Sequence, residues 1–220
     1  MTNGRAIFFA GVPPTTPETD GRRARGARTR ASILETAANL ASVEGLEGLT
    51  LGRLATELGM SKSGLFAHFG SKEELQLATI EAAREIFARE VVAPARDAER
   101  GLPRLRALIA SKLAYERGEV FAGGCFFETV RGEFDSRDSG PVRDAIEADL
   151  DEWNALMRRA IASAVKAGHL RADTDADQLL YEIEALSSTA ALRHQMLGDA
   201  TLFARAEQAI DARLSAAEAP

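Results

Sequence analysis

The chain has 220 residues, 45% of them hydrophobic, a formal net charge of −6 at pH 7 and a single cysteine. That size and apolar content suit a soluble globular protein with a small domain and a larger one around a packed core. One cysteine excludes an intramolecular disulfide, and no apolar run approaches the ~20 residues of a membrane helix, so a cytoplasmic protein without a membrane partner is expected.

The apolar patch Ala6 to Val12 is too short for a signal-peptide core with ordinary flanks and runs into the Pro/Thr-rich PPTTPETD. Residues 1–26 therefore read as a disordered basic arm. Within GRRARGARTR, Arg22, Arg23, Arg25, Arg28 and Arg30 fall in nine positions with no acid among them. Such a run is either a solvated tail or a partner for phosphates and the minor groove, and Arg28, at a helix start, is the best placed for DNA. The charge is divided along the chain: residues 1–75 hold nine Lys/Arg against eight Asp/Glu, which leaves −7 for the remainder. The acid lies away from the basic end, so the overall charge does not argue against a nucleic-acid partner.

Arg28 to Glu44 has the periodicity of an amphipathic helix, with Ile33, Ala37, Leu40 and Ala41 on one side and Gly45 as its stop. Thr50 can cap a second helix whose Leu51, Leu54, Ala55 and Leu58 stand at i, i+3, i+4 and i+7. Gly59 ends it, Ser61 caps the next helix, and Met60 with Leu65 makes a hydrophobic staple. On that third helix Leu65 and Phe69 share the inward face, while Lys62, Ser63, Phe66 and Ala67 look outward. A short helix with Lys and Ser at its N-terminal end suits a major groove, so residues 27–75 read as a three-helix helix-turn-helix DNA-binding domain. Ser71 and Glu74 form a capping box for a long fourth helix. Lys72, on its first turn, opposes the helix dipole and so reads as a site for an external anion such as a DNA phosphate.

The stretch from about Thr29 to Leu77, above all SKSGLFAHFGSKEEL, resembles the DNA-binding domain of the TetR family of transcriptional regulators. The resemblance covers less than a quarter of the chain. It implies a homodimer on a palindromic double-stranded DNA operator, with a larger helical domain in each subunit that binds a small effector and releases the DNA. It also implies that Thr50, Lys62, Ser63, Gly64, Phe66, His68 and Lys72 occupy DNA-touching positions. Phe66 stands where the family commonly has Tyr; without the hydroxyl, only an apolar contact such as one to a thymine methyl remains.

Beyond Leu77 every periodic stretch is helical, so the fold class is all-α and residues 76–220 form the effector-binding and dimerisation domain. Helix four should end near Val92, before Pro94, and Leu102–Arg117 should follow. Gly123-Gly124 precedes a helix over Cys125–Phe134, and Pro141 opens a long helix carrying Val142, Ile146, Leu150, Trp153, Met157, Ala160 and Ala164 on one face. The last two helices, about Asp175–Leu197 and Thr201–Ala216, offer Leu179, Ile183, Leu186 and Leu192 as a dimer interface, or as cover for the core of one subunit.

Tyr115, Phe126, Phe127, Trp153 and Met157 are the candidate pocket lining, implying an apolar or aromatic effector; as large apolar side chains they serve equally well as core. Cys125 reads as a small buried hydrophobe, a redox-sensing thiol or, with a histidine in reach, a nucleophile. His68, His169 and His194 lack HExxH spacing, and no GxSxG, P-loop or dinucleotide glycine pattern is present, so no catalysis and no cofactor are expected. Asp173, Asp175 and Asp177 near His169 read as helix-capping acids rather than metal ligands. The remaining alternative is a small-molecule-binding module or enzyme without specific DNA readout. The fourth helix, which joins both domains, is the expected lever of the switch.

Overall fold

Hydroxyl caps and left-handed glycines place the helix ends of the N-terminal domain. The computed structural model describes residues 17–220, in which every regular element is helical. Helix α1 spans Pro17–Gly48, with Gly45 (φ 74°, ψ 170°) breaking the helical path near its end. The arm expected over residues 1–26 differs here: residues 17–26 are the first turns of α1, while residues 1–16 lie outside the described residues. Pro17 is at the first helical position, where its missing N–H is harmless, and the Arg and Ala that follow are strong helix formers.

Helix α2 (Leu51–Leu58) is capped by Thr50, whose hydroxyl oxygen accepts from Arg53 N at 3.1 Å, and is closed by Gly59 at φ 62°. Helix α3 (Lys62–Phe69) is capped by Ser61, which accepts from Gly64 N at 3.1 Å. Helix α4 (Lys72–Phe87) is capped by Ser71 through Glu74 N at 3.1 Å. The capping box is half made, because Ser71 N donates to the Phe69 carbonyl rather than to Glu74. Leu54, Leu65 and Phe69 are buried beneath the pair, as the periodicity of each helix requires.

Helix α4 does not stop at Val92. It widens into a π-helical turn over Ala88–Val92 and continues through Ala93–Ala95, carrying Pro94 with it. A proline has no N–H for the preceding turn and its ring crowds the carbonyl four residues back; a wider turn at that place relieves both effects. Helix α5 (Leu102–Ala114) ends in a second π-turn over Tyr115–Glu119, with Gly118 at φ 88°. Helices α6 (Phe126–Phe134), α7 (Pro141–Lys166), α8 (Ala176–Leu197) and α9 (Thr201–Ala217) complete the larger domain. Helix α7 packs on α4, α5 and α8, and α8 packs on α9.

The two domains meet mainly where α6 lies on α1. The Glu133 carboxylate accepts from Leu46 N at 2.7 Å and Glu47 N at 2.9 Å, two amides freed when Gly45 ends the helix. The Leu46 carbonyl accepts from the buried Gln76 Nε2 of α4 at 2.8 Å. Thr129 Oγ1 donates to Ser42 O at 3.0 Å, Gly123 N donates to Ser42 Oγ at 3.1 Å, and Ala122 N donates to Asn39 Oδ1 at 2.9 Å. At Gly123 the backbones approach so closely that a Cβ would stand 1.9 Å from Ser42 O. Gly123→Ala should therefore destabilise the protein by about 1–3 kcal/mol through overpacking against backbone that cannot yield. Thermal denaturation should show a melting temperature several degrees lower, and a change within one or two degrees would mean that the approach relaxes easily.

Candidate nucleic-acid interface and effector site

The caps around α3 leave one face of that helix open. Lys62, Ser63, Phe66 and Ala67 are exposed, whereas Leu65 and Phe69 face the core, as the sequence predicts. Lys62 makes no ion pair or hydrogen bond among the described residues. Ser63 Oγ lies 3.3 Å from Ser61 Oγ, and a Cβ at Gly64 would press on that same capping hydroxyl at 3.1 Å. Phe66 is 55% exposed, an apolar group held in water on the open face of α3. Thr50 accepts its cap hydrogen bond through oxygen, which leaves its hydroxyl hydrogen to donate. His68 is half-buried against Phe69. Arg28 is exposed on α1 with Nε donating to Ala24 O at 3.3 Å. Its neighbour Arg30 lies over the Phe69 ring at 5.1 Å and so belongs to the packing of α1 on α3.

Lys72 differs from expectation. Its ammonium donates to the Glu47 carbonyl at 3.0 Å and to Glu47 Oε2 at 2.8 Å, so the anion that offsets its place on the first turn of α4 comes from this chain. The Lys72 hydrogen bond is the main reason the Glu47 carboxyl lies below its usual range, with Gln76 and the charge of Arg137 adding to it against desolvation. Two of the three ammonium hydrogens are committed to joining α1 to α4, and one remains for an outside acceptor.

In the larger domain, Tyr115, Phe126, Phe127, Trp153 and Met157 are all buried. Four of them join a chain of ring contacts around Phe87, which sits 5.2 Å from Tyr115, 5.2 Å from Trp153 and 5.9 Å from Phe127 in near-perpendicular pairs. Phe126 joins through Phe127 at 5.1 Å. The rings pack against one another, and open space lies at their margins. A cleft of about 250 Å³ touches Phe87, Trp153 and Leu156, and a groove of about 590 Å³ between α1, α6 and α8 touches Cys125, Glu128 and Leu192. Phe87 and Phe121 were not among the expected residues, although Ile80, Ala83 and Phe87 fall at helical spacing on one face of α4.

Sequence reading also missed a buried polar group beside these rings. Lys112, Glu116 and Ser187 are almost fully buried. Lys112 Nζ lies 2.5 Å from Glu116 Oε1 and 3.4 Å from Glu184 Oε2, and donates to Ser187 Oγ at 3.1 Å. Trp153 Nε1 donates to Glu184 Oε1 at 3.0 Å. Burial works against the Lys112 charge, but Glu116 and Glu184 outweigh it and hold the ammonium above the usual lysine range. Burial pushes the Glu116 carboxyl up against the pull of Lys112. A signal was present in the sequence: Lys112 and Glu116 continue the apolar stripe of Leu105, Leu108 and Ile109 instead of the opposite face.

On α8 the expected interface residues divide. Leu179 and Ile183 are covered by their own chain and Leu186 is half-buried, so the first two belong to the core of the subunit; Leu192 is 64% exposed. The exposed apolar face of this helix consists of Tyr181, Leu192, Met196 and Leu197. Asp175 is the N-cap of α8, accepting from Asp177 N and Gln178 N, while Asp173 pairs with Arg171 and Asp177 with Arg158. Among the described residues no group of three or more His, Cys, Asp or Glu could hold a metal ion, and no helix is long and apolar enough to cross a membrane.

Cys125 is buried, and desolvation together with the charges of Glu116 and Glu128 pushes its thiol up to about 12. A redox sensor needs exposure and a lowered value, so the geometry opposes that reading. Native protein should therefore react with an aromatic disulfide reagent at least a hundredfold more slowly than urea-unfolded protein. Equal rates would overturn the assignment of Cys125 as a core residue.

Residues 33–79 match the family described as bacterial regulatory proteins, tetR family, and residues 101–210 match the tetracyclin repressor-like C-terminal domain. Among solved structures, the chain is similar to a TetR transcriptional regulator from Chloroflexus aurantiacus, with 26% identity over 89% of this chain and 98% of that one and a TM-score of 0.80. It is also similar to a transcriptional regulator from Saccharomonospora viridis in complex with choline, at 22% identity, 88% and 99% coverage and a TM-score of 0.74. A third is AibR in complex with isovaleryl coenzyme A and operator DNA, at 24% identity, 87% and 99% coverage and a TM-score of 0.65. No curated protein matches. With its capped reading helix in one matched region and its aromatic helical domain in the other, the chain belongs to the TetR family of DNA-binding transcriptional regulators, which are not enzymes.

Proposed function

We propose that this chain is a cytoplasmic homodimeric repressor that holds a palindromic operator through α3 and leaves it when a small effector with an apolar or aromatic body enters the ring cluster. The observation that carries the reading is the placement of α6. Its first residues, Phe126 and Phe127, belong to the ring cluster, and its last turn carries Glu133, which accepts from the backbone at the end of α1. A displacement at one end of a nine-residue helix must be felt at the other, because a packed helix moves as a unit. Helix α4 adds a covalent path, with Phe87 at its effector end and the Lys72–Glu47 pair at its DNA end. The complexes of AibR with operator DNA and isovaleryl coenzyme A, and of the Saccharomonospora regulator with choline, support both the DNA and the effector part by likeness.

In this reading residues 27–75 are the DNA-binding domain and 76–220 the effector-binding and dimerisation domain. Lys62 and Ser63 meet base edges or phosphates, Phe66 makes an apolar groove contact, and Arg28, Thr50, Gly64, His68 and Lys72 approach the backbone. Two copies pair through the exposed face of α8, from Tyr181 to Leu197, so that both copies of α3 meet successive major grooves. An effector switches such a dimer only by preferring one geometry, and a near-complete switch takes a preference of about 10⁴-fold.

Anisotropy titration of the protein against DNA from around its own gene, at defined salt and with nonspecific competitor, tests the reading. Saturable binding that survives competitor is expected, and only weak, salt-erased binding would contradict it. Lys62→Ala should weaken operator binding by about 1–3 kcal/mol, roughly five- to 150-fold, and relax specificity at one base position. Lys72→Ala should weaken all sequences alike and reduce the salt slope by about 1. Wild-type affinity in both variants would remove this face of α3 as the reading surface.

A further inference from the structure

We propose that the effector is a protonated amine with an aromatic or aliphatic body, and that Glu116 and Tyr115 receive its charged end; this rests on the effector-domain reading above. The buried polar group beside the rings holds four carboxyls, Glu116, Glu184, Glu128 and Asp149, against three cations, Lys112, Arg131 and Arg84. Lys112 is the single cation that Glu116 and Glu184 share, and its three neighbours, Glu116, Glu184 and Ser187, occupy its donors. Glu128, which also acts on this group, already has Arg131 at 3.4 Å and the Ser188 hydroxyl at 3.1 Å. Arg131 in turn shares Asp149 with Arg84.

Two oxygens are left over, and they belong to consecutive residues. Glu116 Oε2 and the Tyr115 hydroxyl are both buried without a well-formed hydrogen bond, only the Phe126 backbone amide acting on the hydroxyl, and neither residue is more than 2% exposed. Buried polar atoms in native proteins are nearly always satisfied, so a pair of orphans on adjacent residues asks for a group the chain does not supply. A carboxylate oxygen calls for a donor or a positive charge. An anion is disfavoured, since it would have to displace a carboxylate from Lys112. The surroundings suit a cation in a second way: the Tyr115 ring borders Phe87 and Phe121, and Phe87 borders Trp153, so ring faces and edges are at hand for an ammonium group.

The backbone here is also irregular. Both residues stand on the π-turn that ends α5, closed by Gly118 at φ 88°, and such single wide turns collect at functional sites. Gly124, at φ 78°, lies where a Cβ would be 2.4 Å from Gln195 Nε2 and 3.2 Å from Glu116 O. The groove between α1, α6 and α8 reaches this backbone from the other side of Gly124: Gly123, Cys125 and Gln195 line it, while neither Tyr115 nor Glu116 does.

Trp153 is the one tryptophan of the chain, and its indole N–H is bonded to Glu184, so its fluorescence reports on the cluster directly. The full-length protein, without DNA, is titrated with benzylammonium, benzyl alcohol and benzoate. The cation should saturate the Trp153 signal at a concentration at least tenfold below either of the others. Glu116→Gln should weaken it at least tenfold, and Tyr115→Phe, which removes only the hydroxyl, about threefold. Circular dichroism checks that each variant is folded, and Tyr115→Phe keeps the test open if Glu116→Gln is not. Equal binding of the three probes, cation binding indifferent to both substitutions, or no saturable signal with any probe would overturn the proposal; unchanged affinity in a more stable Glu116→Gln would identify a carboxyl that simply holds a proton. Operator release is scored separately. Cation binding without release leaves this site standing and contradicts the repressor switch, while release by the neutral probe alone does the reverse.

Discussion

Glycine at position 123 lets the chain that follows α5 press against the Ser42 carbonyl, and the hydrogen bonds on either side of that approach fix how the helical domain holds the DNA-binding head. The Leu46 peptide shows the arrangement most plainly. Its N–H goes to Glu133 of α6 and its C=O to Gln76 of α4, while the side chain is fully buried. Amides left without partners at a helix end normally turn to water or a local cap. Here they are satisfied by a carboxylate 87 residues away in sequence, so the end of α1 is in place only when the effector domain is in place.

Glu47, one residue further on, gathers the other half of the junction. It meets Lys72 from the first turn of α4, Gln76 from the second and Arg137 from beyond α6. Each of these pairs is partly exposed and individually worth little. Together they fix three elements to one carboxylate, and the buried bonds of Leu46 add the stronger part. The π-turns fall at the far ends of the two helices that reach into the ring cluster, after Phe87 in α4 and at Tyr115 in α5. The widened turns thus adjoin the ring cluster, and the tightly bonded segment lies at the domain junction.

How far the sequence could be read follows the range of the interactions. The caps at Thr50, Ser61 and Ser71, the left-handed Gly59, and the split of α3 into an inner Leu65/Phe69 face and an outer Lys62/Phe66 face are local, and they stand as periodicity and capping chemistry predict. The convergence of Tyr115, Phe126, Phe127 and Trp153 was legible as a set of large apolar residues, but their centre, Phe87, was not. At Lys72 the helix dipole says that the charge needs an anion and cannot say that Glu47 supplies one within the chain. On α8 the apolar residues Leu179 and Ile183 and the exposed Leu192 look alike in sequence, and only packing separates core from surface. Glu133, on which the junction turns, gave no local signal, because its partners are backbone amides from a distant helix.

Glu133 joins α6 to the end of α1, and through α1 to the helix-turn-helix that packs on it. Amide hydrogen exchange followed by mass spectrometry, comparing the wild-type chain with Glu133→Gln, tests it most directly. Faster exchange is expected in peptides covering residues 43–50 and also in those covering α2 and α3, although neither helix makes a hydrogen bond or ion pair to Glu133. Exchange that rises only within α6, with α1, α2 and α3 unchanged, would contradict it.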